Sequence, residues 1–305
     1  MKTLVTGGAG YIENLLTHAL LEAGHTVTVV DNFMFGYESL LHIVGHPNLN
    51  VVKTDVRNDD MSYLEAHDVI FHLAAISGYP ACEANPNSAR LINVEATAKI
   101  VEHLSKDQLM IYASTTSFYG SGGGRCDEET LIEPVSLYGI TKYEAEEIVM
   151  QRENAIALRW ATVFGISPRM RAGLLVNDFV ERALHEGTLV LYSSHSKRTF
   201  MHISDCVRGY IFALDHTAAM NGQIFNMGSE RLNFSKRDIA DNIAKYVDFE
   251  VIESGVLDKD VRHFDVSFEK AKALGFDCEQ SLDHGVRELV RLYRFYDPNS
   301  FIRPI

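Results

Sequence analysis

The run Thr3-Leu4-Val5-Thr6-Gly7-Gly8-Ala9-Gly10-Tyr11-Ile12-Glu13 decides how the rest of the chain is read. A short β-branched and apolar segment, Thr3–Thr6, ends in a glycine cluster, and Tyr11–Glu22 then follows helical spacing. Strand, tight turn and helix in that order form a phosphate loop. Glycine adopts backbone angles closed to other residues and lets the chain come close to a pyrophosphate. The helix that follows offers unpaired N–H donors and the positive end of its dipole. A glycine cluster alone would say little; its place between strand and helix marks a dinucleotide site, with Gly7, Gly10, Tyr11 and Ile12 as the contacting positions.

Outward from that loop, Thr26–Val30, Asn50–Lys53, Val69–His72 and Met110–Ala113 read as strands, and Ala89–Leu104 has a helical period. A helix over Ser136–Gln151 leads to the strand-like Ala155–Trp160. Beyond it come a helix at Leu174–His185, a strand at Leu189–Tyr192, a helix at Ser204–Leu214 and a strand at Gln223–Met227. Helices at Lys236–Val247 and Leu282–Phe295 complete the pattern. Alternation of this kind predicts an α/β fold: a Rossmann-type doubly wound parallel sheet with a smaller C-terminal α/β substrate domain. Residues 1–165 are expected to bind the dinucleotide, with 204–228 returning to that unit; 166–203 and 229–305 are expected to form the substrate domain.

With 305 residues the chain can bury a full core, and 46% apolar with 23% charged residues is ordinary for a globular protein. The net charge of −13 and the lack of a Lys/Arg cluster argue against nucleic acid as a partner. No apolar run approaches a membrane span. The N-terminus enters the first strand directly, so no signal peptide is expected. Four separated cysteines without a CxxC predict reduced thiols in a cytoplasmic protein, and no metal site.

Asp31 closes the second strand. A carboxylate there accepts hydrogen bonds from the adenosine ribose and repels a 2′-phosphate, which predicts NAD rather than NADP. One residue disagrees with the motif: both glycine spacings put a third glycine at position 13, where this chain has Glu13. Two like charges about 4 Å apart cost about 4 kcal/mol at an effective dielectric near 20. The expectation is that Glu13 swings outward into solvent. The alternative is a weakened NAD affinity, relieved in Glu13→Gly.

Tyr138 and Lys142 are four residues apart on a predicted helix and so share one face. A phenol titrates too high to act as a base at neutral pH. A nearby ammonium and a cationic nicotinamide favour the phenolate, which can then take a proton from a sugar hydroxyl as hydride leaves the same carbon. The strand ending in Tyr112-Ala113-Ser114-Thr115-Thr116 supplies hydroxyls where open α/β sheets hold their ligands.

Several segments together resemble the extended short-chain dehydrogenase/reductases of the sugar-nucleotide epimerase/dehydratase type. They are the phosphate loop, Asp31-Asn32, Thr54-Asp55-Val56, His72-Leu73-Ala74-Ala75, Tyr119-Gly120, Tyr138 to Lys142, and Arg198-Thr199-Phe200-Met201-His202-Ile203-Ser204-Asp205. The resemblance implies Asn32, Asp55 and Val56 at the adenosine and Leu73, Ala74 and Ala75 along the cofactor cleft. It implies Thr115, Tyr138 and Lys142 as the catalytic set, with Tyr138 and Lys142 also touching the cofactor. It implies Thr115, Thr116, Asn177, Arg198 and Arg262 on the substrate, the arginines gripping its diphosphate. The Asp-Glu pair that dehydratases carry after the catalytic Thr is replaced by Thr116-Ser117, so elimination of water lacks its acid and base.

Asp31-Asn32-Phe33-Met34-Phe35-Gly36, Pro80-Ala81-Cys82, the run from Arg159 to Arg171 and Leu174 to Phe179 are similar to GDP-heptose 4-dehydrogenases of bacterial capsule pathways. That likeness implies NAD-dependent oxidation at C4 of a GDP-heptose. A UDP-glucose-type 4-epimerase, which returns the hydride, uses the same residues, and a non-catalytic NAD sensor is the remaining reading. Arg169 and Arg171 either add positive charge for the diphosphate or belong to a solvated loop. The resemblance also implies a homodimer joined through Ala89–Leu104 and Ser136–Gln151.

Overall fold

The computed structural model describes residues 1–120, 124–256 and 264–298. In chain order its strands are β1 (Lys2–Thr6), β2 (Thr26–Asp31), β3 (Leu49–Lys53), β4 (Val69–His72), β5 (Leu109–Thr115), β6 (Arg125–Cys126) and β7 (Ala155–Trp160). They continue with β8 (Thr162–Phe164), β9 (Thr188–Tyr192), β10 (Lys197–His202), β11 (Gln223–Met227), β12 (Asn233–Ser235), β13 (Glu250–Ser254) and β14 (Asp265–Val266). Seven of them form one parallel sheet in the order β11-β7-β5-β4-β1-β2-β3. The predicted α/β class is the class observed.

Alternation along each strand explains the two-sided helical cover. Val5, Val29, Phe71, Ile111 and Leu158 point to one face, where Leu16 and Leu20 of the helix Glu13–Glu22 and Tyr210 and Ala213 of the helix Ile203–Asp215 meet them. The adjacent residues Leu4, Val30, Ile70, Met110, Tyr112 and Ala157 point to the other, against Ile100 of Ala96–His103 and Ala145 and Val149 of Leu137–Val149. Each such side chain contributes roughly 1.5–3 kcal/mol on full burial. Strand order reverses between β1 and β4, whose last residues Thr6 and His72 are paired neighbours. A crevice outside the carboxyl ends of such a pair is where open α/β sheets bind ligands.

A smaller layer lies beyond this sheet. Strand β10 runs parallel to β8 and antiparallel to β12, β9 runs parallel to β13, and β14 runs parallel to β6. Phe179 and Val180 from the helix Leu175–His185, Ile239 and Ile243 from Lys236–Ile243, and Val286 and Leu289 from Leu282–Tyr293 pack with Leu189, Leu191 and Phe200 in a core of their own.

Three local differences from the sequence reading have physical causes. The first helix begins at Glu13, so Tyr11 and Ile12 belong to the loop. The helix expected over Ala89–Leu104 is broken by a π turn at Leu91–Glu95. Within that turn Asn93 Oδ1 accepts the Ile76 N–H at 2.8 Å, while its Nδ2 donates to Ile76 O at 3.0 Å and to Thr141 Oγ1 at 3.0 Å. Strands β6, β8, β10, β12, β13 and β14 have no counterpart in the sequence reading. All four cysteines are free and buried. Among the described residues no helix is long and apolar enough to cross a membrane.

Candidate active site

The phosphate loop is held from below and behind. Gly7 has φ +72°, and a Cβ there would lie 3.0 Å from Ala74 Cα, so only glycine lets β1 and the turn after β4 approach this closely. A Cβ on Gly8 would land 2.5 Å from Val29 Cγ1, which makes Gly8 a packing glycine. Thr6 Oγ1 accepts the N–H groups of Leu73 and Ala74, both at 3.1 Å. It lies 2.8 Å from His72 Nδ1, while His72 Nε2 lies 2.9 Å from Thr97 Oγ1. Thr97 donates its own proton to Asn93 O at 2.8 Å, so His72 Nε2 is the ring donor and Nδ1 accepts from Thr6. Burial, and then the charge of Lys142, push His72 down to about 3, so the ring is neutral.

Behind the loop, the Tyr11 hydroxyl donates to Gly165 O at 2.7 Å and Ser167 Oγ donates to Tyr11 O at 2.7 Å. Asn14 Nδ2 donates to Ser167 Oγ at 2.9 Å. The segment after β8 thus braces the turn.

From this loop a cavity of about 1050 Å³ runs across the carboxyl ends of the sheet. Its wall includes Gly7, Gly10, Tyr11, Ile12, Asp31, Asn32, Asp55, Val56, Leu73, Ala74, Ala75, Thr115, Tyr138, Lys142 and Arg198. Fifteen positions named from sequence are therefore brought together. Asp31 accepts the Ala9 N–H on Oδ2 at 3.0 Å and the Phe33 N–H on Oδ1 at 2.6 Å, which fixes its carboxylate at the end of β2. Asp55 pairs with Arg57 at 2.8 Å and accepts from Asn32 Nδ2 at 2.9 Å. The Arg57 hydrogen bond is the main reason Asp55 is held well below the usual carboxylate range.

At the other end, Ser136 Oγ caps the helix Leu137–Val149 by accepting the Gly139 N–H at 3.1 Å. In its first two turns Tyr138 and Lys142 face the cavity, Tyr138 half-buried and Lys142 buried. The Lys142 ammonium sits 4.0 Å from the Tyr112 ring centroid. Burial brings it down to about 7, opposed by the carboxylate of Glu146. Thr115 Oγ1 accepts the Ser117 N–H at 3.1 Å, which leaves its own hydroxyl proton available for a ligand oxygen.

Two expected substrate residues are not on the wall. Thr116 is buried and donates to Trp160 O at 3.1 Å, because the chain turns into a short 3-10 helix there and points it into the sheet. Asn177 is fully buried; its Oδ1 accepts the Gly165 N–H at 3.1 Å and its Nδ2 donates to Arg171 O at 3.1 Å. It is a brace for the segment that holds the phosphate loop. Arg262 lies outside the described residues. Glu13 corrects the outward expectation: it lines the cavity, and its Oε2 accepts the Ile12 N–H at 3.0 Å.

Arg169, Arg171 and Lys236 also line the wall, the last without any signal in the sequence. Arg169 stacks on Phe35 with 3.9 Å from guanidinium to ring centroid, and Arg171 Nη1 donates to Ser77 Oγ at 3.3 Å, so both belong to the cavity rather than to a solvated loop. Lys236, at the start of its helix, donates to Tyr192 O at 2.7 Å. It reaches the wall only because the smaller layer folds over the sheet.

The residues present fit a dinucleotide: a tight turn that only glycine permits, a helix start facing the cavity, and fixed carboxylates at the end of β2 and just after β3. Glu13 is the one exception. Comparison with known proteins agrees. An uncharacterized UDP-glucose epimerase of Bacillus subtilis is 31% identical over 255 residues, 77% of this chain and 79% of that protein. A UDP-N-acetyl-alpha-D-glucosaminuronate decarboxylase of Bacillus cytotoxicus is 31% identical over 246 residues, 75% of each chain. The crystal structure of UDP-glucuronic acid 4-epimerase from Bacillus cereus, in complex with UDP-glucuronic acid and NAD, superposes with a TM-score of 0.84 at 25% identity, covering 96% of this chain and 99% of that one. Residues 3–228 match the NAD dependent epimerase/dehydratase family, and the chain belongs to it, with NAD as its cofactor.

Proposed function

We propose that this enzyme is a 4-epimerase of a nucleoside diphosphate sugar, with UDP-sugars as the first substrates to test. The observation that carries the reading is the meeting of Thr115, Tyr138 and Lys142 on the wall of one cavity that begins at the phosphate loop and contains Arg169, Arg171 and Arg198. Both relatives named above carry UDP-sugar names and the solved structure holds UDP-glucuronic acid, which favours the epimerase over the GDP-heptose dehydrogenase. The family and its enzymes also set aside a non-catalytic sensor.

Bound NAD would supply the hydride acceptor for C4 of the sugar. Tyr138 takes the C4 hydroxyl proton on its phenolate oxygen, and the Thr115 hydroxyl donates to the same sugar oxygen. The Lys142 ammonium lowers the cost of charge on Tyr138. Arginines hold the diphosphate as an anchor about which the 4-keto sugar can turn, so that the hydrogen returns on the opposite face. Residues 1–165 and 204–228 carry the cofactor in this reading, and 166–203 with 229–305 close over the sugar. The helices flanking Arg90 and Glu144, paired at 2.9 Å, are the surface through which two copies would join. Light scattering showing only monomer at working concentration rejects that dimer.

The test is incubation of the protein and NAD with UDP-glucose, UDP-glucuronic acid and a GDP-heptose in turn. A C4 epimer without net NADH supports the proposal. Stoichiometric NADH with a 4-keto product makes the enzyme a dehydrogenase instead.

A further inference from the structure

Glu13 stands where both glycine spacings call for glycine, and its side chain turns back over the loop instead of out into solvent. A methyl group on Gly10 would collide with its carboxylate, so that carboxylate fills the concavity of the turn. The loop's amides are then largely spoken for. Ala9 N–H goes to Asp31, Gly10 N–H goes to Gly7 O at 2.8 Å, and Ile12 N–H goes to Glu13. A pyrophosphate at a helix N-terminus draws on such amides and on the positive dipole end. An ionised Glu13 therefore competes with the cofactor for one donor and repels it as well.

The charged and titratable groups facing Glu13 are Asp31 from the end of β2, Arg169 from the segment after β8, Lys142 from its helix, and Cys206 and Tyr210 from the helix Ile203–Asp215. Burial raises the Glu13 carboxyl to about 7 and Asp31 adds to this, while its own and the Ile12 N–H groups and Arg169 oppose it. An arriving pyrophosphate adds further negative charge. A neutral carboxyl has an O–H to donate, and the phosphate oxygens only accept.

We propose that Glu13 is a cofactor-binding residue that acts in its protonated form: NAD binding takes up one proton at this carboxyl, which releases the Ile12 N–H and donates its own O–H to a phosphate oxygen. The proton comes from solvent and returns to it when NAD leaves. This rests on the phosphate loop being the cofactor site.

The test is calorimetric titration of NAD into the purified protein and into Glu13→Gln at pH 8, in phosphate and in Tris, whose ionisation enthalpies differ. The wild type is expected to take up about one more proton per NAD than Glu13→Gln, and its Kd is expected to rise about tenfold per pH unit between pH about 7.5 and 9. The amide of Glu13→Gln keeps a donor, so its Kd should stay flat over that range. Lys142 lies in the field of Glu13, so the comparison is repeated on a Lys142→Met background, where a surviving difference in proton uptake belongs to Glu13. Glu13→Gly, which removes both charge and donor, should also lose the pH slope. Equal proton uptake by wild type and Glu13→Gln, or parallel pH slopes, would overturn the proposal. Absence of NAD binding in all three folded proteins would instead remove the cofactor site itself.

Discussion

Arg159 Nη2 lies 2.7 Å from Glu146 Oε1, and both side chains are almost wholly buried. Arg159 Nη1 also donates to the Tyr119 hydroxyl at 2.9 Å, and that hydroxyl donates to Asn226 Oδ1 at 2.7 Å. The pair fastens the helix that carries Tyr138 and Lys142 to β7, and through Tyr119 to β11. Removing one partner strands the other charge in the interior. Glu146→Ala is therefore expected to lose about 3–5 kcal/mol in urea unfolding. A change below about 1 kcal/mol would show that the pair is not what secures this helix.

Tyr138→Phe removes the proton acceptor but little volume. Turnover is expected to fall by about 10²–10⁴-fold with NAD affinity within a few-fold of wild type. Thr115→Val removes one donor to the sugar oxygen and is expected to cost less than Tyr138→Phe. Steady-state rates and NAD titrations on both variants measure this. Undiminished turnover in Tyr138→Phe would defeat the catalytic assignment.

Lys142 is held near pH 7 by burial, far below its ordinary value of 10.5. Between these values the unfolded chain holds a proton that the folded chain has released. This group's contribution to stability therefore rises with pH from about 7 to about 10.5 and is a cost below that window. Lys142→Met is expected to raise the unfolding midpoint at pH 7 while abolishing turnover. Thermal melts of the apo proteins at pH 7 and 9 should show the gain shrinking at the higher pH.

His72 is neutral and lies between Thr6 and Thr97. Its folded pKa is lowered, so the unfolded chain binds the proton first as the solution is acidified. Stability from this group is complete above pH about 6.5 and is lost as pH falls toward about 3. His72→Gln is expected to flatten the acid limb of the stability curve over that interval. An acid limb as steep in His72→Gln as in the wild type would overturn the assignment.

Asp31 has both oxygens on main-chain N–H groups where β2 meets the cavity. Asp31→Asn keeps the shape and removes the charge. NADP is expected to bind the variant more tightly than the wild type by tenfold or more, with NAD weakened. Fluorescence titration with NADH and NADPH reads the ratio directly.

Sequence periodicity was enough for the central sheet because β1, β2, β4, β5, β7 and β11 are mostly buried on both faces and so are rich in apolar and β-branched residues, while the edge strand β3 stays largely exposed. Strands β4, β7 and β11 fall at their expected bounds, and the helices beside them differ by one to a few residues. Strands β8, β10 and β12 were not legible, since two have only three residues and owe their pairing to distant chain. The site divides in the same way. Gly7, Asp31, Tyr138 and Lys142 are set by local order: a turn that needs glycine, a strand end, a helix spacing of four. Thr116 and Asn177 lie off the cavity wall because a turn or a brace decides their direction.

The amino-acid order alone determined the parallel α/β sheet, the phosphate loop at its first turn and the Tyr138–Lys142 face, because each is a short-range pattern that backbone geometry enforces. Only the folded chain decided that Glu13 turns inward, that Lys142 loses its ordinary affinity for protons, and that Arg169, Arg171 and Lys236 share one cavity. Those outcomes depend on burial and on groups far apart in sequence, and neither exists until the layers close.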